Sequence, residues 1–287
     1  MLTDPAFIRK LESLYRLARK VLGGSMQADR KSTKKGAGIT FADYAEYSVG
    51  DDFRSIDWRI YARFEELIVK LFEIDEDTTI YILLDQSHSM RHKWLHARQM
   101  AAALGYIGLH CLDQVCAYGA ADKLRPLLAT ARGRGKALPF LQTLEQADTF
   151  GEGTDFTACC REFQARRRRR GLVIVISDFL FPGGFEEGLR YLHWHKHDVF
   201  CLQTQDATDR VCDLKGDIEL ECIEAGRRER VTVTPKEVRL YEEAVTQWNA
   251  SLKDACRRRG IGLISTTTEV EFEDIIQSIL RRGGLVA

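Results

Sequence analysis

Two short runs limit what this chain can fold into. Residues 80–84 (Ile80, Tyr81, Ile82, Leu83, Leu84) and 172–176 (Leu172, Val173, Ile174, Val175, Ile176) are apolar at nearly every position. A strand with one face in water alternates apolar and polar residues, so strands without that alternation belong in a sheet covered on both faces. Further candidate strands fall at 115–120, 124–128, 198–202 and 261–265. Helical patterns separate them at 92–112, 135–146, 156–169, 185–195, 236–258 and 271–281. Buried strands alternating with helices predict an α/β fold, a doubly wound, mainly parallel sheet with helices on both faces. Residues 218–233 read as an inserted hairpin with Ala225 and Gly226 at its turn.

The amino-terminal part follows a different pattern. Thr3 or Asp4 can cap a helix and Pro5 suits its first turn. Phe7, Leu11, Leu14, Ala18 and Val21 form one apolar stripe, and Gly23-Gly24 is the expected stop. Residues 25–38 are polar, basic and glycine-containing, which reads as a connection. Between 40 and 79, Tyr44, Tyr47, Val49, Ile56, Trp58, Ile60, Leu67, Val69 and Leu71 recur at mostly even spacing, the pattern of a small antiparallel sheet with a turn at Gly50-Asp51. The expected division is therefore 1–39, helix and basic linker; 40–79, small β subdomain; and 80–287, the α/β domain with a hairpin insertion near 205–234.

Charge narrows the functional classes. Lys and Arg total 42, and so do Asp and Glu, for a formal charge of zero. That balance argues against a broadly basic protein drawn to phosphate, and no nucleic-acid partner is expected. The zero conceals local imbalance. Residues 1–40 carry nine basic against three acidic side chains, and 41–77 carry four against eleven. Adjacent segments of opposite sign favour pairing within the chain. No stretch approaches the roughly 20 apolar residues that span a bilayer, and no amino-terminal apolar block resembles an export signal. The eight cysteines include no CxxC pair. Reduced, mostly buried thiols and a cytoplasmic location are expected.

The chemistry converges on strand ends. The first apolar strand ends in Asp85, Gln86, Ser87, His88 and Ser89, which sets a carboxylate and two hydroxyls on alternate residues of one loop. Thr154 and Asp155 follow the glycine-bounded 151–153 and precede a helix. The strand at 172–176 ends in Ser177 and Asp178. In a doubly wound sheet the functional crevice lies at the carboxyl ends of the strands. Few carboxylates with several hydroxyls suit a hard cation that keeps waters and an open position. Asp155 could replace Asp178 as a ligand, although capping the next helix is its more usual role.

Asp85, Ser87, Ser89, Thr154 and Asp178 resemble, in identity and order, the five-part metal-ion-dependent adhesion site of von Willebrand factor type A domains. The resemblance extends over roughly 79–284. It implies a doubly wound sheet and a bound Mg²⁺, with Mn²⁺ or Ca²⁺ as alternatives, whose open position accepts an Asp or Glu of a protein partner. Upstream, residues 46–58, from Glu46 through Arg54 and Asp57 to Trp58, and then Tyr61, Ala62 and Arg63, are similar to a signature of the bacterial domain-of-unknown-function 58 family. That family places this block before a type A-like domain. Its members often sit near MoxR-type AAA+ ATPases, which implies an adaptor or co-chaperone role toward such an ATPase or its client. Many members carry amino-terminal membrane helices, and no such helix is expected here.

The expected function is therefore a non-enzymatic, metal-dependent protein-interaction module. The competing class is a metal-dependent hydrolase of a phosphate ester, with His88 as proton donor. A haloacid-dehalogenase-type phosphotransferase needs a second Asp two residues after the first, and Ser87 stands there. His88, His92 and His96 could share one helix face. His193, His195 and His197 form a second cluster, expected with most of the first at the surface or at helix ends. Residues 166–170, all Arg, read as a solvated helix terminus. Arg54, Asp57, Trp58 and Arg63 are expected in a buried or half-buried polar network that joins the small sheet to the larger domain.

Overall fold

The computed structural model describes the chain except residues 30, 36–39, 49–55, 76–78, 112, 150–153, 167–168, 222–227 and 282–287. The chain gathers into two compact units, 1–18 with 78–287, and 19–77.

Helix α1 (Pro5–Asp29) starts as expected, with the Asp4 carboxylate accepting from the Ala6 N–H at 2.7 Å. Phe7, Leu11, Leu14 and Ala18 are buried. The ring of Phe7 packs 5.2 Å from that of Phe272, and Lys10 pairs with Glu273 at 2.5 Å. The helix does not stop at Gly23-Gly24 but continues to Asp29. A glycine inside a helix costs about 1 kcal/mol against alanine, which weakens the helix without ending it.

The smaller unit departs further from expectation. Strand β1 (Lys31–Lys35) lies within the stretch read as a connection. It pairs antiparallel with β3 (Ile68–Asp75), whose other edge pairs with β2 (Thr40–Glu46), giving the order β1-β3-β2. Lysine-rich polar composition suits an edge strand as well as a linker. Trp58 and Ile60 are not in a strand. They lie in α2 (Trp58–Phe64), which Asp57 caps by accepting from the Arg59 N–H at 3.0 Å. Glu65, at φ 60°, closes it through its own N–H to the Tyr61 carbonyl. Caps at both ends override the even spacing on which the strand was read. Asp57 is buried, as the expected network requires, whereas Trp58 and Arg63 are exposed and do not take the buried or half-buried places expected of them. Arg54 and the Gly50-Asp51 turn lie outside the described residues.

In the larger unit the predicted strands are β4 (Thr79–Asp85), β5 (Gln114–Ala120), β6 (Leu124–Arg132), β7 (Leu172–Ser177) and β8 (Asp198–Gln205). The inserted hairpin is β9 (Gly216–Glu221) with β10 (Arg228–Val233); its turn lies outside the described residues. After it comes β11 (Gly262–Thr267). Six strands form one sheet in the order β11-β8-β7-β4-β5-β6. Every pairing is parallel except β5 with β6. The helices are α3 (Trp94–His110), α4 (Ala137–Gln146), α5 (Phe156–Ala165), α6 (Glu186–Trp194), the short α7 (Ala207–Arg210), α8 (Pro235–Arg258) and α9 (Phe272–Arg281).

The apolar strands are covered on both faces, as their sequence requires. Tyr81, Leu83, Val173, Val175 and Cys201 join Phe156, Phe163, Leu189 and Leu252 of α5, α6 and α8 in one buried cluster. Ile82, Leu84, Ile174 and Ile176 alternate to the other side and are equally buried. There α3 lies so close that a Cβ on Gly108 would meet Ile80 Cδ1 at 2.8 Å. The described cysteines are all free, and Cys116, Cys159, Cys160, Cys201 and Cys256 are buried. Burial pushes the Cys159 thiol up to about 12, which makes it a packing group and not a nucleophile.

Two histidines expected at the surface or at helix ends are buried. His96 donates from Nε2 to the Val270 carbonyl at 2.9 Å, while its buried Nδ1 has no partner. His197 sits between the Gly171 carbonyl and Gln164. Burial lowers the pKa of both. The folded state therefore resists a proton that the unfolded chain accepts below about 6.5, so these two groups cost stability as pH drops through that value, while Asp85, whose pKa is raised, acts in the opposite sense. Measured against wild type by urea denaturation, His96→Gln is expected to gain relative stability as pH falls from 7.5 to 5, by at most about 1.4 kcal/mol per pH unit. A difference between the two proteins that does not change with pH would refute the assignment.

Candidate metal-binding site

The chain leaves β4 to place β5 on one side and later returns to place β7 on the other. The crevice at the carboxyl ends of β4 and β7 is thus the sheet's topological switch point, where open α/β sheets bind ligands. Leu84 is in register with Ile176, so Asp85, at the end of β4, stands beside Ser177, and Asp178 follows.

Asp85 is buried, and three donors surround its carboxylate. Oδ1 accepts from the Ser87 N–H at 3.0 Å and the Ser87 hydroxyl at 2.7 Å; Oδ2 accepts from the Ser177 hydroxyl at 2.6 Å. Ser87 Oγ also contacts Ser89 Oγ at 2.9 Å. A hydroxyl has one proton to give. With that of Ser87 directed at Asp85, Ser89 donates to Ser87. Burial first, then repulsion from Asp178, pushes Asp85 up to about 7, against the opposing pull of the Ser177 and Ser87 hydrogen bonds.

Asp178 is equally buried. Its Oδ1 accepts from the Leu180 N–H at 2.9 Å. Between them Phe179 has φ 60°, a left-handed conformation that costs a bulky residue on the order of 1–3 kcal/mol. That turn is held by the Phe179 N–H to Ser177 Oγ at 2.8 Å and by Trp248 Nε1 to the Phe179 carbonyl at 3.0 Å.

Thr154 reaches the same end of the sheet from another loop. The N–H of Asp155 donates to the carbonyl of Ala121, just past β5, and that of Gln86 donates to Ala120. Asp155 caps α5 through the Ala158 N–H at 2.8 Å, the role expected of it. Thr154 Oγ1 is buried and makes no hydrogen bond. Residues 151–153 lie outside the described residues. Gly119 in β5 leaves room for Gln86, whose Oε1 would stand 1.4 Å from any Cβ there.

Sequence reasoning missed Lys93. Its ammonium is 3% exposed and bonds Asp178 Oδ2 at 2.7 Å and Asp209 Oδ2 at 2.8 Å. Burial works against the charge, but the two carboxylates outweigh it and raise the pKa. One signal was available. Lys93 is the N-cap residue of α3, where the helix dipole disfavours a cation, so its place there needed anionic partners. The His88, His92 and His96 cluster does not form one face, because His92 is exposed and His96 is buried.

Three hydroxyls and two carboxylates are a donor set that fits a hard cation. The orphaned Thr154 hydroxyl and the crowded Asp85 carboxylate support the fit. Among the described residues no group of three or more His, Cys, Asp or Glu side chains gathers to hold a metal, and this hydroxyl-rich set is of a different kind. Asp85, Asp178 and Asp209 against Lys93 leave two negative charges, which a divalent ion balances. Beyond α7, Val211, Leu214, Leu220, Val231 and Tyr241 line an open apolar groove of about 560 Å³. The Tyr241 hydroxyl donates to the Asp209 carbonyl at 3.1 Å. Among the described residues no helix is long and apolar enough to cross a membrane.

The uncharacterized protein Rv1480 of Mycobacterium tuberculosis is 26% identical over 294 residues, covering 98% of this chain and 92% of that one. Among solved structures, BatB from Bacteroides thetaiotaomicron is 13% identical with a TM-score of 0.47, over 71% of this chain and 98% of that one. A von Willebrand factor type A protein from Catenulispora acidiphila is 11% identical with a TM-score of 0.40, over 75% and 44%. Likenesses at that distance do not carry function across. The family model described as "Protein of unknown function DUF58" matches residues 43–251, from the amino-terminal β unit through both aspartate-bearing strands into α8, and the chain therefore belongs to the DUF58 family.

Proposed function

We propose that this protein is a non-enzymatic, metal-dependent interaction module. Asp85, Ser87, Ser89, Thr154 and Asp178 would hold Mg²⁺, some of them through water, with Mn²⁺ or Ca²⁺ as alternatives. The bound ion would supply a positive centre with an open position for an Asp or Glu of a partner. The observation that carries this reading is the convergence of two buried carboxylates, the Ser87–Ser89 hydroxyl pair and an unpartnered Thr154 hydroxyl on one switch point. Ser177 and Ser87 orient the Asp85 carboxylate, and the Phe179 turn fixes Asp178. The partner we favour, from the resemblance of residues 46–63, is a MoxR-type AAA+ ATPase or its client.

Calorimetric titration of the metal-free chain with Mg²⁺ and Mn²⁺ tests the site. One site is expected, weakened roughly tenfold in Thr154→Ala through loss of one ligand, worth about 1.4 kcal/mol. Capture of a partner from native lysate should require Mg²⁺ and fail with chelator or with Asp85→Ala. Capture that survives both changes would sink the metal bridge. Release of phosphate from ester substrates, abolished by Asp85→Ala, would transfer the site to a hydrolase.

A further inference from the structure

Lys93 is a buried cation at this crevice that the five-residue pattern does not include. Its ammonium has two carboxylate partners at nearly equal distance, 2.7 Å to Asp178 and 2.8 Å to Asp209. The two partners differ. Asp178 is 1% exposed and its Oδ1 is committed to the Leu180 N–H, so Oδ2, the oxygen that Lys93 occupies, is the one left for another cation. Asp209 is 19% exposed and stands in α7, where its Oδ2 also accepts from the Asp206 N–H at 2.8 Å within a capping box. Asp209 is thus fixed by its own local structure whatever happens at Asp178. A buried ammonium does not give up a carboxylate unless another is in place, and Asp209 is already in place.

We infer that Lys93 is a built-in competitor for the divalent cation: it holds Asp178 Oδ2 in the metal-free protein and rests on Asp209 alone when a metal takes that oxygen. The inference rests on the metal reading above and adds an internal cation that sets how tightly the site binds. Two consequences follow from the geometry. The metal-free crevice does not leave Asp178 unpaired, so the fold tolerates an empty site. Metal affinity is lower than the same five ligands would give without Lys93, and so responds to the available concentration of the ion.

The test uses the full chain, titrated with Mg²⁺ and with Mn²⁺ by calorimetry and melted with and without metal. Lys93→Met is expected to bind roughly tenfold more tightly or better, to melt lower than wild type in chelator, and to regain that loss in excess metal. Asp209→Asn removes the alternative acceptor, binds Lys93 more firmly to Asp178, and should weaken metal binding several-fold. A role limited to holding the fold would lower stability in both variants without moving the two affinities in opposite directions. Wild-type or weaker affinity in Lys93→Met, or unchanged affinity in Asp209→Asn, would overturn the competition while leaving the metal site standing. Metal binding by Lys93→Met but not by wild type would support it. Should Lys93→Met fail to fold even with metal, the Asp209→Asn affinity alone decides. No binding by wild type or either variant removes the metal reading and the competition with it.

Discussion

Asp85→Asn is expected to make the metal-free protein more stable. The native carboxylate is buried and faces Asp178, a combination that pushes it up to about 7. A carboxylate held up in this way carries a penalty on its ionised folded form at pH 8, on the order of 1 kcal/mol or more, that the unfolded chain does not bear. Asparagine keeps the shape and an acceptor for Ser87, and the hydroxyl of Ser177 can turn to accept from the new amide. The charge repulsion goes, and the hydrogen bonds mostly stay. In chelator the gain should be about 1 kcal/mol or more, a rise of roughly 2–4 °C in Tm for a domain of this size. The same variant should lose metal binding and metal-dependent capture. A substitution that stabilises the fold while abolishing binding identifies a group placed against its own electrostatic interest. Destabilisation by more than about 1 kcal/mol would instead make Asp85 a structural residue.

The second carboxylate is expected to behave in the opposite way. Asp178→Ala removes the acceptor of the Leu180 N–H and one of the two partners of buried Lys93. Breaking a buried pair by deleting one member costs about 3–5 kcal/mol. Because Asp209 still holds the ammonium, the lower end applies, a fall of roughly 10 °C in Tm. Pairing Asp178→Ala with Lys93→Met should recover part of that loss, since the stranded charge is gone. Additive losses in the double variant would show that Asp178 supports the turn at Phe179 independently of Lys93. The two aspartates stand at the carboxyl ends of neighbouring strands, one residue out of step, yet among the described residues only Asp178 has a counter-charge, and that asymmetry sets the opposite signs.

How much of this could be read from sequence depends on the range of the interaction. The strands β4 and β7 were legible because burial on both faces forces an apolar residue at nearly every position. Asp85 and Asp178 were legible because each breaks such a run at its carboxyl end. Ser87, Ser89 and Thr154 needed the resemblance as well, since hydroxyls after a strand are equally common as caps. Lys93 left almost no trace. Its partners stand 85 and 116 residues away, and ion pairing between distant elements has no periodicity to detect. His96 and His197 were misplaced for a related reason: a histidine bonded to a backbone carbonyl is buried by its surroundings, not by its own polarity. Trp58 and Ile60 failed differently, because seven residues fit a two-residue period about as well as a helical one until the caps decide.

The hairpin of β9 and β10 has a consequence for timescale. Among the described residues its strands pair only with each other, and Leu220 and Val231 remain partly exposed, at 44% and 37%. A two-stranded ribbon without a third strand is marginal alone. Its amides should therefore exchange with solvent through local openings of low free energy, while those of β4 and β7 wait for global unfolding. Leu220 and Val231 also line the groove beyond α7. One wall of that groove thus belongs to this ribbon and another to α8, so local opening of the ribbon would open the groove without disturbing the crevice at Asp85 and Asp178.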